Sequence, residues 1–360
     1  MKSLIISTLC CIISLGFSRI SAQDSTRTLQ FSGYAETYYA FDFGKPADHN
    51  RPGFVYSHNR HNEFNLNLGF IKAAYSAART RANLALMAGT YANANLAAEP
   101  GVLKNIFEAN VGYKLSKKHD LWIDMGIMPS HIGFESAIGK DCWTLTRGIL
   151  ADNSPYYESG AKIGYNSPDG KWYIAALALN GWQRIQRVPG NQSLAVGHQL
   201  TYKPNAKLTL NSSSFVGNDK PDAQRQLRIF HNFYGIYQVN EQLGLTLGFD
   251  IGAEQAAPDA SDYSTWFTPV LMAKLKTGEK SNLTLRGEYY QDKNGVIIAT
   301  GTSNGFQVWG YSANFDYALA PNALWRIEAR GFRSEDAIFL QESNSSRSNF
   351  FLSTAFALSF

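Results

Sequence analysis

Phe350-Phe-Leu-Ser-Thr-Ala-Phe-Ala-Leu-Ser-Phe360 closes the chain. With the period of two that a strand imposes, Phe350, Leu352, Phe356, Leu358 and Phe360 share one side. Phe351, Ser353, Ala355, Ala357 and Ser359 share the other. The first side is bulky and apolar and suits lipid, whereas the second is small and partly polar and suits water. A strand of a soluble sandwich can carry the same alternation, so the remainder of the chain has to decide.

Working outward, the same alternation recurs in about sixteen stretches, from Leu29–Phe43 to Arg347–Phe360. Most reach the roughly 9 to 11 residues that a tilted strand needs to cross the hydrocarbon layer. Short links such as Asn166-Ser-Pro-Asp-Gly170 and Ala320-Pro-Asn-Ala323 carry hairpin chemistry, since Pro presets and Gly permits the turn dihedrals. Long links, including 44–62, 129–156, 180–193, 292–305 and 335–346, fall at every other connection. The expected fold is therefore all-β, a transmembrane antiparallel up-and-down barrel with short periplasmic turns and long external loops. Fourteen and eighteen strands are the fallback counts.

The N-terminus carries Lys2, an apolar run from Leu4 to Phe17, and Ile20-Ser-Ala22. This run is too short to cross a bilayer as a helix and reads as a signal peptide over residues 1–22, followed by a single barrel over 23–360. Cys10 and Cys11 leave with the signal, and the one remaining thiol, Cys142, can make no internal disulfide. Loss of Lys2 and Arg19 lowers Lys plus Arg from 33 to 31, against 29 Asp plus Glu. Near neutrality with both signs interspersed argues against nucleic acid as a partner.

Charge within the strands has to face water, because an Arg at the lipid midplane costs about 2 to 4 kcal/mol. Glu36, Lys162, Arg286, Glu288, Arg326, Glu328 and Arg330 accordingly belong to the lumen phase, as do Glu108, Asp124 and Asp250. Trp172, Trp266, Trp309 and Trp325 suit interfacial aromatic girdles.

Met128-Pro-Ser-His-Ile-Gly-Phe-Glu135, Trp143-Thr-Leu-Thr-Arg147 and Pro155-Tyr-Tyr-Glu-Ser-Gly160, with Ser32-Gly-Tyr-Ala-Glu-Thr-Tyr-Tyr39 near the start, resemble the OmpL-like β-barrel porin family. The resemblance runs over essentially the whole mature chain. It implies a pore-forming protein of the outer membrane of a Gram-negative-type bacterium, and it names no solute. The terminal aromatic, Phe360, likewise resembles the signal that barrel assembly machinery reads. Lipid, that machinery and small polar solutes are the implied partners, and homo-oligomers are known among general porins.

Residues 129–156 form the third external connection, which in general porins folds inward to narrow the channel. The segment mixes Glu135, Lys140, Asp141, Arg147 and Asp152 with many apolar residues, too apolar a content for a loop free in water. Glu135, Asp141 and Asp152 are expected to oppose wall arginines such as Arg286, Arg326 and Arg330 and so create a transverse field. A loop that closes over the mouth or touches a neighbouring subunit is the rival arrangement.

Other chemistry finds little support. Gly133 to Asp141 imitates a phosphate loop but has the wrong spacing and Asp where Ser or Thr should bind Mg²⁺. His49, His58 and His61 match no closed zinc pattern. No cofactor and no catalysis are expected. Two rivals stand beside the passive channel: a barrel hydrolase, which needs a Ser or Asp beside a His at the lipid boundary or rim, and an adhesion protein with a blocked lumen.

Overall fold

The computed structural model describes residues 27–360, so the expected signal peptide lies outside the described residues. Sixteen strands close on themselves. They are β1 (Thr28–Asp42), β2 (Phe64–Ser76), β3 (Thr80–Ala88), β4 (Ile106–Lys114), β5 (Asp120–Pro129), β6 (Tyr157–Asn166), β7 (Trp172–Leu179) and β8 (Ala195–Asn205). The circuit continues with β9 (Leu208–Asn218), β10 (Leu227–Gln238), β11 (Leu243–Gln255), β12 (Tyr263–Lys276), β13 (Ser281–Asp292), β14 (Phe306–Ala320) and β15 (Ala323–Ser334). It ends with β18 (Ser348–Ser359). Every neighbour in this circuit is antiparallel and sequential, and β1 pairs with β18 to complete the barrel. Closure extends to the last residue, where Phe360 and Gly33 exchange backbone hydrogen bonds of 2.8 and 3.0 Å. No strand edge is left in lipid, which is what a membrane-spanning sheet requires.

The two faces follow the sequence. Phe350, Leu352, Phe356, Leu358 and Phe360 are all exposed on the outer surface. The inner side of β18 departs from expectation: Phe351, Ser353, Ala355 and Ala357 are buried and not wetted, because external loops pack against them. Trp172, Trp309 and Trp325 face outward, but Trp266 is buried inside, where Gly252, directly opposite in register, has no Cβ to obstruct its ring.

The external connections are ordered and carry elements that strand periodicity does not reveal. Residues 89–105 hold a short helix, α1 (Thr90–Asn95), and the connection after β5 holds α2 (Ile149–Asp152). The last loop folds into a hairpin, β16 (Phe339–Gln341) with β17 (Asn344–Ser346). Phe54 of the first loop inserts among Phe306, Phe332 and Phe339 at ring separations of 4.8, 5.2 and 6.1 Å. These rings belong to an apolar cluster that includes Ile149, Phe215, Phe230, Trp266 and Phe351. A barrel of this size is too wide for its wall side chains to fill, and here the loops supply the missing volume over part of the interior.

Candidate functional site

The segment after β5 crosses from one wall to the other. Ser130 N–H donates to Tyr156 O at 3.0 Å and closes the neck of the loop. His131 is held between Glu158, at 2.7 Å, and the carbonyl of Ser214, at 2.9 Å. Gly133 N–H donates to Asn232 Oδ1 at 3.2 Å, and Phe134 packs on Tyr234 with ring centres 5.6 Å apart. The first third of the loop is thereby fixed to β6, β9 and β10.

The remainder is fixed to β1 and β13 to β15, by inward side chains that bond to its backbone. Arg326 donates to the carbonyls of Gly139 at 2.7 Å and Cys142 at 2.9 Å while forming a bidentate pair with Asp316 at 2.7 and 2.8 Å. Asn314 Oδ1 accepts from Leu145 N–H at 2.9 Å, and Glu328 accepts from Thr146 N–H at 2.6 Å and from its hydroxyl at 2.7 Å. Glu288 accepts from Ile149 N–H at 2.6 Å, and Arg330 donates to Arg147 O at 2.6 Å. A loop crossing a low-dielectric interior leaves backbone groups without partners, and these wall side chains satisfy them. Gly139 also lets the chain pass close to Glu36, whose carboxylate occupies the space that any Cβ there would need.

The expected site residues divide into distinct roles. Arg286 lies 3.9 Å from Glu135 but bonds more closely to Glu328, at 2.8 Å, and to Thr146 O, at 2.9 Å. Arg330 pairs with Glu288. Arg147 donates its guanidinium hydrogens to Ser136 O, Leu145 O and Ala137 O at 2.6, 2.6 and 3.1 Å and ties the loop to itself, while its charge acts on Glu36 of the wall. Asp152 accepts from Ser57 Oγ at 2.9 Å and Tyr156 OH at 3.0 Å, joining this loop to the first one. Asp141 is exposed and has no place in the cluster of wall arginines. Glu36 receives His58 at 2.7 Å and Asn67 at 2.9 Å, and Lys162 lies opposite Asp124 in register.

Of the loop acids expected to oppose wall arginines, Glu135 lies 3.9 Å from Arg286 and Asp152 feels the charge of Arg330, whereas Asp141 is exposed and faces none of them. The wall carries its own acids beside its arginines, and the loop presents mainly backbone dipoles. Asn314 and Asp316 are the partners that sequence reading missed, although they share the inward phase of β14 and the same alternation would have found them.

Burial dominates three of the loop's ionisable groups. It raises the Glu135 and Asp152 carboxyls above their ordinary values and pushes the Cys142 thiol up to about 11. The three histidines of the first loop find protein partners: His58 at Glu36, His61 at the backbone N–H of Asp42, and His49 at the carbonyl of His61.

Solvent exposure is asymmetric around the lumen. The side chains of Arg286, Glu288, Arg326 and Glu328 are 0% exposed, whereas Lys72 on β2 and Arg81 on β3 retain 27% and 39%. Both are paired, Lys72 with Glu108 and Arg81 with Asp124. Between this wall and the loop lies a cavity of about 270 Å³, bordered by Phe70, Lys72, Phe107, Glu108 and loop residues 129–138.

The family model described as "Putative beta-barrel porin-2, OmpL-like" matches residues 28–360. Among curated proteins no sequence matches. The fold is similar to that of the anion-selective porin from Comamonas acidovorans, with a TM-score of 0.60 at 8% identity over 93% of this chain and 100% of that one. It is also similar to OmpT of Vibrio cholerae in its trimer form (0.59, 10%, 93% and 100%) and to Salmonella typhi OmpF in complex with daunomycin (0.60, 10%, 94% and 99%). At such identities the likeness is one of fold. Matched over almost all of its described length by the model of that family, the chain belongs to the OmpL-like β-barrel porins of the outer membrane.

Proposed function

We propose that this porin passes small hydrophilic solutes by passive diffusion along the β2 to β6 side of its lumen, with residues 129–156 as the constriction. The observation that carries this reading is the asymmetry of exposure: ionisable side chains of β13 to β15 are sealed under the loop, and those of β2 and β3 keep contact with water. The wall charges under the loop are paired with one another, so size and shape select more than net charge. Single-channel recording in a planar bilayer tests it. Stepwise conductance that grows when residues 133–152 are replaced by a short linker supports the constriction; a folded barrel that passes no current overturns the channel.

The setting follows from the family and from the terminal strand. The outer membrane of a Gram-negative-type bacterium is the proposed location, and Phe360 is the proposed feature read by the assembly machinery. Replacing Phe360 by Ser should then lower the yield of heat-modifiable barrel in cells. Self-association is proposed by analogy with the trimer form of the Vibrio protein, and crosslinking in membranes tests it.

One observation favours an enzyme as a second reading. Ser212 Oγ lies 3.0 Å from His231 Nε2 and 3.2 Å from His198 Nε2, and Ser214 Oγ lies 2.6 Å from His198 Nδ1. This row shares the outward phase of Val196, Ile229 and Phe233, where lipid would reach it. Both ring nitrogens of His198 contact serines, which leaves none for an orienting carboxylate. Ser212 and Ser214 also sit in a strand paired on both sides, where backbone N–H groups serve the ladder and not an oxyanion. The row is better read as a neutral hydrogen-bond chain that satisfies its own polar atoms in lipid. Phospholipid turnover lost in Ser212→Ala would reverse that preference.

A further inference from the structure

The cavity between loop and wall has a composition that a mere water path does not need. Tyr34, Phe70 and Met87 stand directly opposite one another across β1, β2 and β3. Phe107 joins them through a bulge: Ala85 pairs with Glu108 and Leu86 with Ile106, so Phe107 is the extra residue of β4. A bulge re-aims a side chain, and here it lays the Phe107 ring parallel to that of Phe70, 4.9 Å away with 14° between planes. Tyr34, buried and outside the cavity lining, backs the patch 5.8 Å from Phe70. Both phenylalanines are only partly buried. Facing them across the cavity are Ile132, Phe134 and Ile138 of the loop.

Polar groups line the same cavity, among them Tyr91, Tyr156 and Tyr157. Lys72 pairs with Glu108, whose other oxygen accepts from Asn110 at 3.1 Å, and Ser130, Glu135 and Ser136 border the loop side. Lys72 is matched by Glu108, while Glu135 has Gly148 N–H at 2.7 Å and Arg286 at 3.9 Å. Each charge of the slot lies beside an opposite one, although Glu135 Oε1 is out of hydrogen-bond reach of any partner among the described residues, and an ionic solute would lose hydration there for little counter-charge.

We propose that this slot is a transient binding site for the pyranose ring of a small neutral sugar, a step that rests on the channel reading above. A pyranose has weakly positive axial C–H groups that suit the negative faces of aromatic rings, and a hydroxyl rim that suits the donors and acceptors lining the slot. The volume, near the lower end of the roughly 300 to 1,000 Å³ usual for ligand pockets, admits a short saccharide and no polymer. Conduction demands weak binding, so half-block is expected at sugar concentrations on the order of millimolar.

The experiment is current fluctuation in a planar bilayer with the full-length porin, adding glucose, maltose, the open-chain polyol sorbitol, or benzamide. Glucose or maltose should interrupt the current in discrete events that sorbitol at equal concentration does not produce. Phe70→Leu and Phe107→Leu, which keep apolar bulk and remove the aromatic face, should each weaken the block about fivefold when block is read as a fraction of that variant's own sugar-free conductance. The two variants check one another, since either alone suffices if the other fails to assemble. A porin that conducts but responds equally to glucose, maltose and sorbitol overturns the sugar site and spares the channel. Block by benzamide without block by the sugars overturns the carbohydrate assignment. A folded barrel without current overturns the channel and the site together.

Discussion

Cys142 reports where the loop lies. Its thiol is buried, donates to Ser136 O at 3.3 Å, and is pushed by burial up to about 11. The thiolate is the reactive species, so a thiol reagent at pH 8 should leave the native barrel unlabelled and react with the denatured chain. Fast labelling of the native protein would mean that the loop stands outside the lumen. Glu135 makes a second test at the same scale. Its carboxyl is raised above 4.5 by burial first, with Arg286 and Arg147 acting in the opposite sense. The folded state therefore holds this proton to higher pH than the unfolded chain does. Its contribution to stability falls as pH rises from about 4.5 through the raised value. Glu135→Gln should flatten the part of the melting temperature's pH dependence that lies above pH 4.5. Identical slopes for both proteins would refute that origin.

At the scale of the element, the loop is a strap fastened at many backbone positions by side chains of the wall. Arg326 is one of these, with Asp316 on one side and the carbonyls of Gly139 and Cys142 on the other. Arg326→Met removes one partner of a fully buried pair, a change that costs about 3–5 kcal/mol where measured. That cost falls on the strap and not on the ladder, because sixteen paired strands hold the barrel. The expected outcome is an intact barrel by circular dichroism, faster labelling of Cys142, and larger, noisier single-channel currents. An unchanged current would show that the strap does not set the width of the path. Much of this element was legible beforehand: the length and apolar content of 129–156 set it apart from a solvated loop. Its fastening was not, since alternation places Arg326 on the inner face without saying which carbonyl, nine strands earlier in the sequence, will meet it.

For the whole molecule, the lumen is built of matched pairs. Lys72 with Glu108, Arg81 with Asp124, Arg228 with Glu254, Arg326 with Asp316, Arg286 with Glu328 and Arg330 with Glu288 match most of its charges from β2 round to β15. Such pairing makes local dipoles and little net field along the path. A tenfold gradient of KCl should accordingly give a reversal potential well short of the limit of about 59 mV for a perfectly selective monovalent channel. A value near that limit would show that unmatched charge governs the pore.

The sequence by itself determined the closed barrel. Period two, turn chemistry and the cost of charge in lipid are local rules, and they recover the strand circuit, the inward placement of Glu36, Lys162 and Arg286, and the outward row that ends at Phe360. The tertiary structure decided what fills the barrel. Phe54 in its cage of rings, Asp152 joining two loops, Asp141 left in solvent and Phe107 turned inward by one extra residue depend on contacts between segments far apart in the chain. Periodicity constrains which face a residue takes; partners across the lumen are set by barrel closure and by the search of each buried polar group for a match, and neither is written in any single stretch of sequence.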